Sequence, residues 1–260
     1  MKKIHHLFVA YMQPSSAEGR KTIAEVKRIL RQYPVSVEIR ERNKAEKKCC
    51  WKADLVITIG GDGTFLRAAQ FNERAMMFAV NQDPRQKVGF FTRASRKDFA
   101  RKFRKIMEGK YTIIKSTRLE TSINGKNIEL ALNEIFFGDK RPYKMCRYLL
   151  NIQGRKEKQR SSGLIIATGS GSHAWFQSAG GKSFPITSRK FAFVVREPYE
   201  GKERYAIKRG IIGKKGYLKI TSLDDNNMVV VDALSRPYAV PKGTTATIKI
   251  AKKPLYLVSV

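Results

Sequence analysis

The apolar positions of the first third of the chain alternate between strand and helix periods. Residues 4–11 form a short apolar run and read as a strand. From Ser16 to about Gln32, residues Ile23, Val26, Ile29 and Leu30 recur at helical spacing, and Ser16 is placed to cap that helix. Strands are predicted over 35–39, 54–59 and 76–80, with a helix over 64–71 between the last two. Residues 95–108 read as a further helix, with Phe99, Phe103, Ile106 and Met107 as a core stripe and Gly109 at its end. Ser95 and Asp98 have the spacing of a capping box there. Strands alternating with helices imply a parallel, Rossmann-like α/β sheet.

Beyond residue 110 the pattern changes to short strands. Asn124-Gly125 between two alternating runs is a two-residue hairpin signal. Runs at 130–137, 148–152, 164–168, 191–195, 217–221, 228–231 and 245–250 read as strands separated by polar turns. This predicts a β-sandwich or a related β-rich domain. The expected division is an α/β domain over 1–110 and a β-rich domain over 111–260, whose last strands are candidates to return to the first domain. The sequence has no internal repeat, low-complexity segment or long linker.

Composition adds three constraints. At 42% hydrophobic residues in 260, the chain can build a core, which argues against disorder. No apolar run approaches the ~20 residues that span a bilayer. The N-terminus lacks the apolar stretch of a signal peptide, so the chain reads as cytoplasmic and complete. Cys49, Cys50 and Cys146 are odd in number, with two adjacent, and read as reduced thiols rather than a disulfide framework. With no C-x-x-C pair and only His5, His6 and His173, no protein-held metal is assigned. Lys+Arg number 52 against 22 Asp+Glu, a net +30, and such a field attracts polyanions without choosing among them. The basic runs at 40–48, 101–110 and 202–219 are spread along the chain, and each reads as a solvated basic face.

The sharpest chemical signal is Gly60-Gly61-Asp62-Gly63-Thr64, after an apolar strand and before a helical pattern. Glycines there let backbone approach a phosphate, and the helix start offers free N–H groups. Asp62 would project beside bound phosphates, as general base on a hydroxyl or as a partner to Mg²⁺. The string is neither G-x-G-x-x-G nor a Walker pattern.

Gly-Gly-Asp-Gly-Thr after a strand resembles the superfamily of NAD kinases and diacylglycerol-type lipid kinases. Ala131-Leu132-Asn133-Glu134 resembles the Asn-Glu motif of NAD kinases. Ser161-Ser162-Gly163-Leu164, followed by the stretch from Thr168 through Trp175, resembles the second NAD-binding segment of that family, closest to its mitochondrial-type branch. Asn81-Gln82-Asp83-Pro84, Arg196-Glu197-Pro198 and Val230-Val231-Asp232 follow the same branch in order.

The resemblance implies a Rossmann-like domain plus a β-rich domain and transfer of a phosphoryl group from ATP, with Mg²⁺, to NAD. It implies Asp62 as catalytic base on the 2′-hydroxyl of the adenosine ribose, with Gly60, Gly61, Gly63 and Thr64 lining phosphates. It further implies that Asn133, Glu134, Ser162, Thr168, Ser170, His173, Ala174, Trp175 and Ser178 line the NAD pocket, Trp175 as a base-stacking platform. Arg67 is a candidate to assist the transferring phosphate. A homodimer or higher homo-oligomer is expected from the same resemblance. Two positions depart from most of the family: Ser162 stands where an aspartate is usual, and Ala233 follows Asp232 where a glycine is usual. The rival readings are a lipid kinase of the same superfamily and a catalytically weak nucleic-acid or polyanion binder. Inorganic polyphosphate is a further candidate donor, suggested by the charge.

Overall fold

The apolar runs of the first third become strands of a parallel sheet, and the helical stripes cover it. The computed structural model describes residues 3–44, 52–87, 89–201, 204–233 and 236–260. Cys49, Cys50 and parts of the basic runs at 40–48 and 202–219 lie outside the described residues. The chain runs β1 (His6–Tyr11), α1 (Ala17–Leu30), β2 (Ser36–Glu41), β3 (Leu55–Gly60), α2 (Asp62–Phe71), β4 (Met76–Asn81), β5 (Ala94–Ser95), α3 (Phe99–Met107) and β6 (Thr112–Ser116). Short strands then dominate: β7 (Leu119–Ile123), β8 (Lys126–Asn127), β9 (Glu134–Asp139), β10 (Cys146–Ile152), β11 (Arg155–Ser161) and β12 (Gly163–Ala167). After the short helix α4 (Trp175–Ser178) come β13 (Lys190–Arg196), β14 (Arg209–Gly213), β15 (Tyr217–Ser222), β16 (Asn227–Val231), β17 (Tyr238–Ala239), β18 (Thr245–Ile250) and β19 (Leu255–Ser259).

Two compact units result, Met1–Lys115 with Leu255–Val260, and Ser116–Pro254. In the first, the sheet order is β2-β1-β3-β4-β19-β6, with β5 added on β4. The pairings β1/β2, β1/β3, β3/β4, β4/β5 and β4/β19 are all parallel. β3 is buried along its whole length, as a central parallel strand covered on both faces should be. α1 starts where its sequence says, because Ser16 Oγ accepts the Gly19 N–H at 3.0 Å. Glu18 in its first turn and Lys27 and Arg28 in its last suit the helix dipole. α3 begins four residues later than the pattern suggests. Ser95 ends β5, residues 96–98 turn, and Asp98 Oδ1 reaches back to Ser95 N at 2.7 Å. The reciprocal carboxylate bond of a capping box is therefore present, but it closes a turn ahead of the helix.

The second unit pairs two six-stranded sheets, β11-β10-β15-β18-β7-β8 and β14-β13-β12-β9-β16-β17. Their inward residues, among them Phe137, Tyr148, Leu150, Ile166, Phe191, Ile220 and Ile248, form one core. Each such side chain contributes roughly 1.5–3 kcal/mol by leaving water. The other face of β12 and β13 buries Ile165, Ala167, Ala192 and Val194 beneath Phe176 and Phe184. Asn124 (φ 46°) and Gly125 (φ 82°) make the predicted hairpin turn between β7 and β8. The strand expected over 130–137 begins only at Glu134; before it, Ala131 makes a lone bridge to Leu119.

Asp232 (φ 51°) and Ala233 (φ 52°) are consecutive left-handed non-glycine residues. A side chain held there costs about 1–2 kcal/mol. Ala233→Gly should therefore raise stability by about 1 kcal/mol and Tm by roughly 2–4 °C. A thermal melt checks this, and an unchanged or lower Tm would show that Ala233 adopts this turn without strain.

Candidate active site

In the first unit the glycine string turns β3 directly into α2. Gly61 is the N-cap and supplies no side-chain bond, so the helix start depends on the residues around it. A Cβ on Gly60 would lie 2.3 Å from Thr64 Oγ1. Thr64 is thus packed beneath Gly60, buried, and its hydroxyl has no hydrogen-bond partner among the described residues. Its side chain supports the turn from below rather than facing out of it.

Asp62 opens the helix with both carboxylate oxygens engaged. Phe90 N–H donates to one and Phe91 N–H to the other, each at 2.9 Å. The guanidinium of Arg93 braces this segment through the Phe90 and Thr92 carbonyls at 2.9 and 3.0 Å. Burial lowers the pKa of Arg93, and the Asp62 charge opposes that shift.

Two cations that the sequence pattern does not single out lie over the glycines. Lys87 Cδ is 3.4 Å from where a Cβ on Gly61 would sit, and Arg42 Nη1 is 3.5 Å from that of Gly63. Desolvation first, then the Arg42 charge, holds Lys87 below the ordinary lysine range, with Asp83 acting in the opposite sense. Lys87 Nζ donates to Gln82 Oε1 at 3.0 Å and to Met12 Sδ at 3.2 Å. The Asn81-Gln82-Asp83-Pro84 motif folds the loop that presents it. Asn81 Nδ2 donates to the Lys87 carbonyl, Gln82 Nε2 to the Met12 carbonyl, and Asp83 accepts from Ser16 Oγ. That motif was the available signal for Lys87; Arg42 was hidden in a charge run. Arg67, the candidate to assist the transferring phosphate, lies along α2, donating to Gln70 Oε1 at 3.3 Å and covering the Phe71 ring.

In the second unit the Asn-Glu motif enters β9 over a buried acid. Asp232 accepts three backbone N–H groups, from Leu132 (2.9 Å), Asn133 (2.7 Å) and Glu134 (3.1 Å). Burial pushes the Asp232 carboxyl up to about 6 against the pull of those bonds and of Arg118. Burial, with Asp232 beside it, pushes Glu134 up to about 8. Asn133 Oδ1 and Glu134 Oε2 are buried and have no hydrogen-bond partner among the described residues. Buried polar atoms without partners cost free energy, which a ligand can return.

The second motif segment is laid against the first. Thr168 N–H donates to the Asn133 carbonyl at 2.9 Å, and Thr168 Oγ1 to the Leu132 carbonyl at 2.5 Å. A Cβ on Gly171 would meet the Asn133 carbonyl oxygen at 2.1 Å, so only glycine allows this approach. Gly163 is also required, since its φ is 113°. Thr168 and Ser170 are buried with their hydroxyls in internal bonds, the latter to Ser116 Oγ at 3.0 Å. Thr168 thereby ties the two motif segments together, and Ser170 ties the second segment to Ser116. Ser162 is half-buried and donates its N–H to the Arg196 carbonyl. His173 and Ser178 are exposed and Ala174 is half-buried, all around α4. Trp175 stacks on Phe136 with ring centroids 5.0 Å apart and carries the Arg196 guanidinium over its ring.

A parallel α/β unit whose glycine turn caps a helix, followed in the chain by a β-sandwich with an acid-supported Asn-Glu strand, defines a two-unit phosphotransferase. The chain is similar to NAD kinases over most of its length. The family model described as the ATP-NAD kinase N-terminal domain matches residues 4–111. An NAD kinase of Thermoplasma volcanium is 27% identical over 210 residues, 80% of this chain and 74% of the relative. An NADH kinase of Arabidopsis thaliana is 26% identical over 276 residues, covering 92% and 82%. The crystal structure of an Archaeoglobus fulgidus NAD kinase in complex with ATP aligns with TM-score 0.80 at 24% identity, over 97% of this chain and 92% of that one. The yeast NADH kinase complexed with NADH aligns with TM-score 0.84 at 17% identity, over 100% and 84%. These two likenesses establish the fold.

Two outcomes follow from the acid pair. Asp232→Ala strands three buried N–H groups and should cost about 3 kcal/mol, read by denaturant unfolding. Glu134 is protonated more readily when folded than when unfolded. Its contribution to stability is therefore full below about pH 4.5 and is lost as pH rises toward 8. Between pH 5 and 8 the unliganded protein should lose Tm, and Glu134→Gln should flatten that slope. Parallel Tm–pH curves for the two proteins would remove this assignment.

Proposed function

We propose that the protein transfers the γ-phosphoryl group of ATP to the 2′-hydroxyl of the adenosine ribose of NAD or NADH. The observation that carries this reading is Asp62 held rigidly at the start of α2, beside a glycine turn overlain by Lys87 and Arg42. The ribose oxygen attacks the γ-phosphorus as its proton passes to Asp62, and the bond to the bridging oxygen breaks to release ADP. Each Asp62 oxygen spends one lone pair on an amide and keeps another for that proton. Lys87 and Arg42 hold the triphosphate oxygens against the N–H groups of the turn, where positioning and charge stabilisation supply most of the rate. Asn133 and Glu134 hold NAD, with Asn133 Oδ1 accepting from it. Glu134, protonated near neutrality, can donate or accept there. His173, Ala174, Trp175 and Ser178 border the dinucleotide. Ser162 is uncharged, so the NAD contact at that end rests on hydrogen bonds alone.

The donor set fits Mg²⁺ arriving with the triphosphate. Asp62 offers one carboxylate beside the turn, and no group of three or more His, Cys, Asp or Glu stands ready to hold a metal among the described residues. Bound there, the ion would neutralise charge on the β- and γ-phosphate oxygens. The cation pair also suits inorganic polyphosphate as donor. The lipid-kinase reading is not favoured, since the relatives carry NAD or NADH kinase names. We place the enzyme in the cytoplasm as a homo-oligomer; no helix among the described residues is long and apolar enough to cross a membrane.

The test is NADP formation from NAD and Mg-ATP. Asp62→Asn should lower kcat by about 10²–10⁴. Lys87→Met should raise KM for ATP at least tenfold, with a far smaller effect on KM for NAD. Full turnover by the Asp62 variant would remove its role as base, and no turnover by the wild type with either acceptor would remove the reading.

A further inference from the structure

The net charge of +30 is more than a nucleotide site needs, and part of it is organised on one face. In the sheet β11-β10-β15-β18-β7-β8, alternate residues point into the sandwich core and the others outward. The outward set includes Lys156, Lys158 and Arg160 on β11, Arg147 on β10, Lys219 on β15 and Lys249 on β18. Arg147 and Arg160 stand directly opposite each other in the β10/β11 register. Like charges so placed destabilise a strand pair. Two of the six are offset: Arg147 by Asp224 at 2.7 Å and Lys249 by Glu120 at 3.0 Å. Lys156 and Lys158 have no carboxylate within ion-pair distance among the described residues.

At the β11 end this face opens into a concavity of about 590 Å³, lined by Arg147, Lys158, Arg160, Tyr199, Tyr205 and Leu223. The Arg160 guanidinium lies 4.8 Å from the Tyr199 ring centroid, and Tyr199 is 51% exposed. Alternate β11 residues are about 6.5–7 Å apart along the strand. That spacing lets successive phosphodiesters of an extended strand meet successive cations. A guanidinium–aromatic stack at the end of such a row is a surface on which an unpaired base can stack. We propose that this outer face binds single-stranded nucleic acid, with phosphates along Lys156, Lys158 and Arg160 and a base at the Arg160–Tyr199 stack.

Fluorescence anisotropy of a labelled oligouridylate with the full chain tests this, and the signal is independent of turnover, so it stands apart from the kinase reading. The variant Lys156→Gln/Lys158→Gln/Arg160→Gln should weaken binding at least tenfold. The slope of log K against log salt should shrink by about 2, at about 0.7 for each phosphate no longer neutralised. Its melting temperature and NADP synthesis should stay at wild-type values. A matched variant on the first unit, Lys21→Gln/Arg31→Gln/Arg101→Gln, removes three exposed cations and should change affinity less than twofold. An equal weakening in both variants would mean diffuse charge and overturn the proposal. So would no oligonucleotide binding at low salt, or binding at this face by inorganic polyphosphate or anionic vesicles alone.

Discussion

The carboxylate of Asp232 gathers the N–H groups of Leu132, Asn133 and Glu134, and the arrangement of the second unit's candidate site depends on that bond set. A strand entering a sheet at Glu134 leaves the backbone just before it without ladder partners. Asp232 supplies acceptors for it from inside the protein. Thr168 and Gly171 then lie close against the same stretch, the first through its N–H and hydroxyl, the second through its missing side chain. The backbone there is engaged, while two buried side-chain atoms, Asn133 Oδ1 and Glu134 Oε2, have no hydrogen-bond partner among the described residues. The left-handed backbone at Asp232 is part of the same construction, since it turns the carboxylate back toward β9.

The first unit uses the opposite device. Its glycine turn lacks a side-chain cap and depends on a cross-chain clamp, in which the Phe90 and Phe91 amides hold Asp62. The Asn81-Gln82-Asp83 stretch supports the loop leading there. Partners far along the chain thus hold the Asp62 carboxylate in one orientation while leaving it only half-buried.

Much of this was legible in the sequence because it is written in period and punctuation. β1, β3, β4 and α1 follow their apolar spacing, and Asn124-Gly125 marks its own turn. β11 is not visible in that pattern because its inward positions are polar. Gln159 and Ser161 bond to the buried Tyr148 hydroxyl, and Glu157 accepts the Ala206 and Ile207 N–H groups. No hydrophobic count can reveal a strand held by such a network. Likewise Asp62, Asn133 and Glu134 stood in recognisable strings. Lys87, Arg42 and the supporting role of Asp232 depend on contacts across dozens of residues, which spacing alone does not encode. Thr168 shows the converse: a motif residue can matter by holding another motif in place.

The position of β11 at the end of its sheet carries a different consequence. A terminal strand offers unpaired backbone groups to any other strand of suitable length, including one from a second copy. Here the Arg160 carbonyl is taken by the Tyr199 N–H and the Arg160 N–H by the Tyr205 hydroxyl, while lysines crowd the remainder. An incoming strand would have to displace those bonds and bring its own copy of the same charges alongside. This edge of the sandwich is thereby guarded against edge-on pairing with another strand.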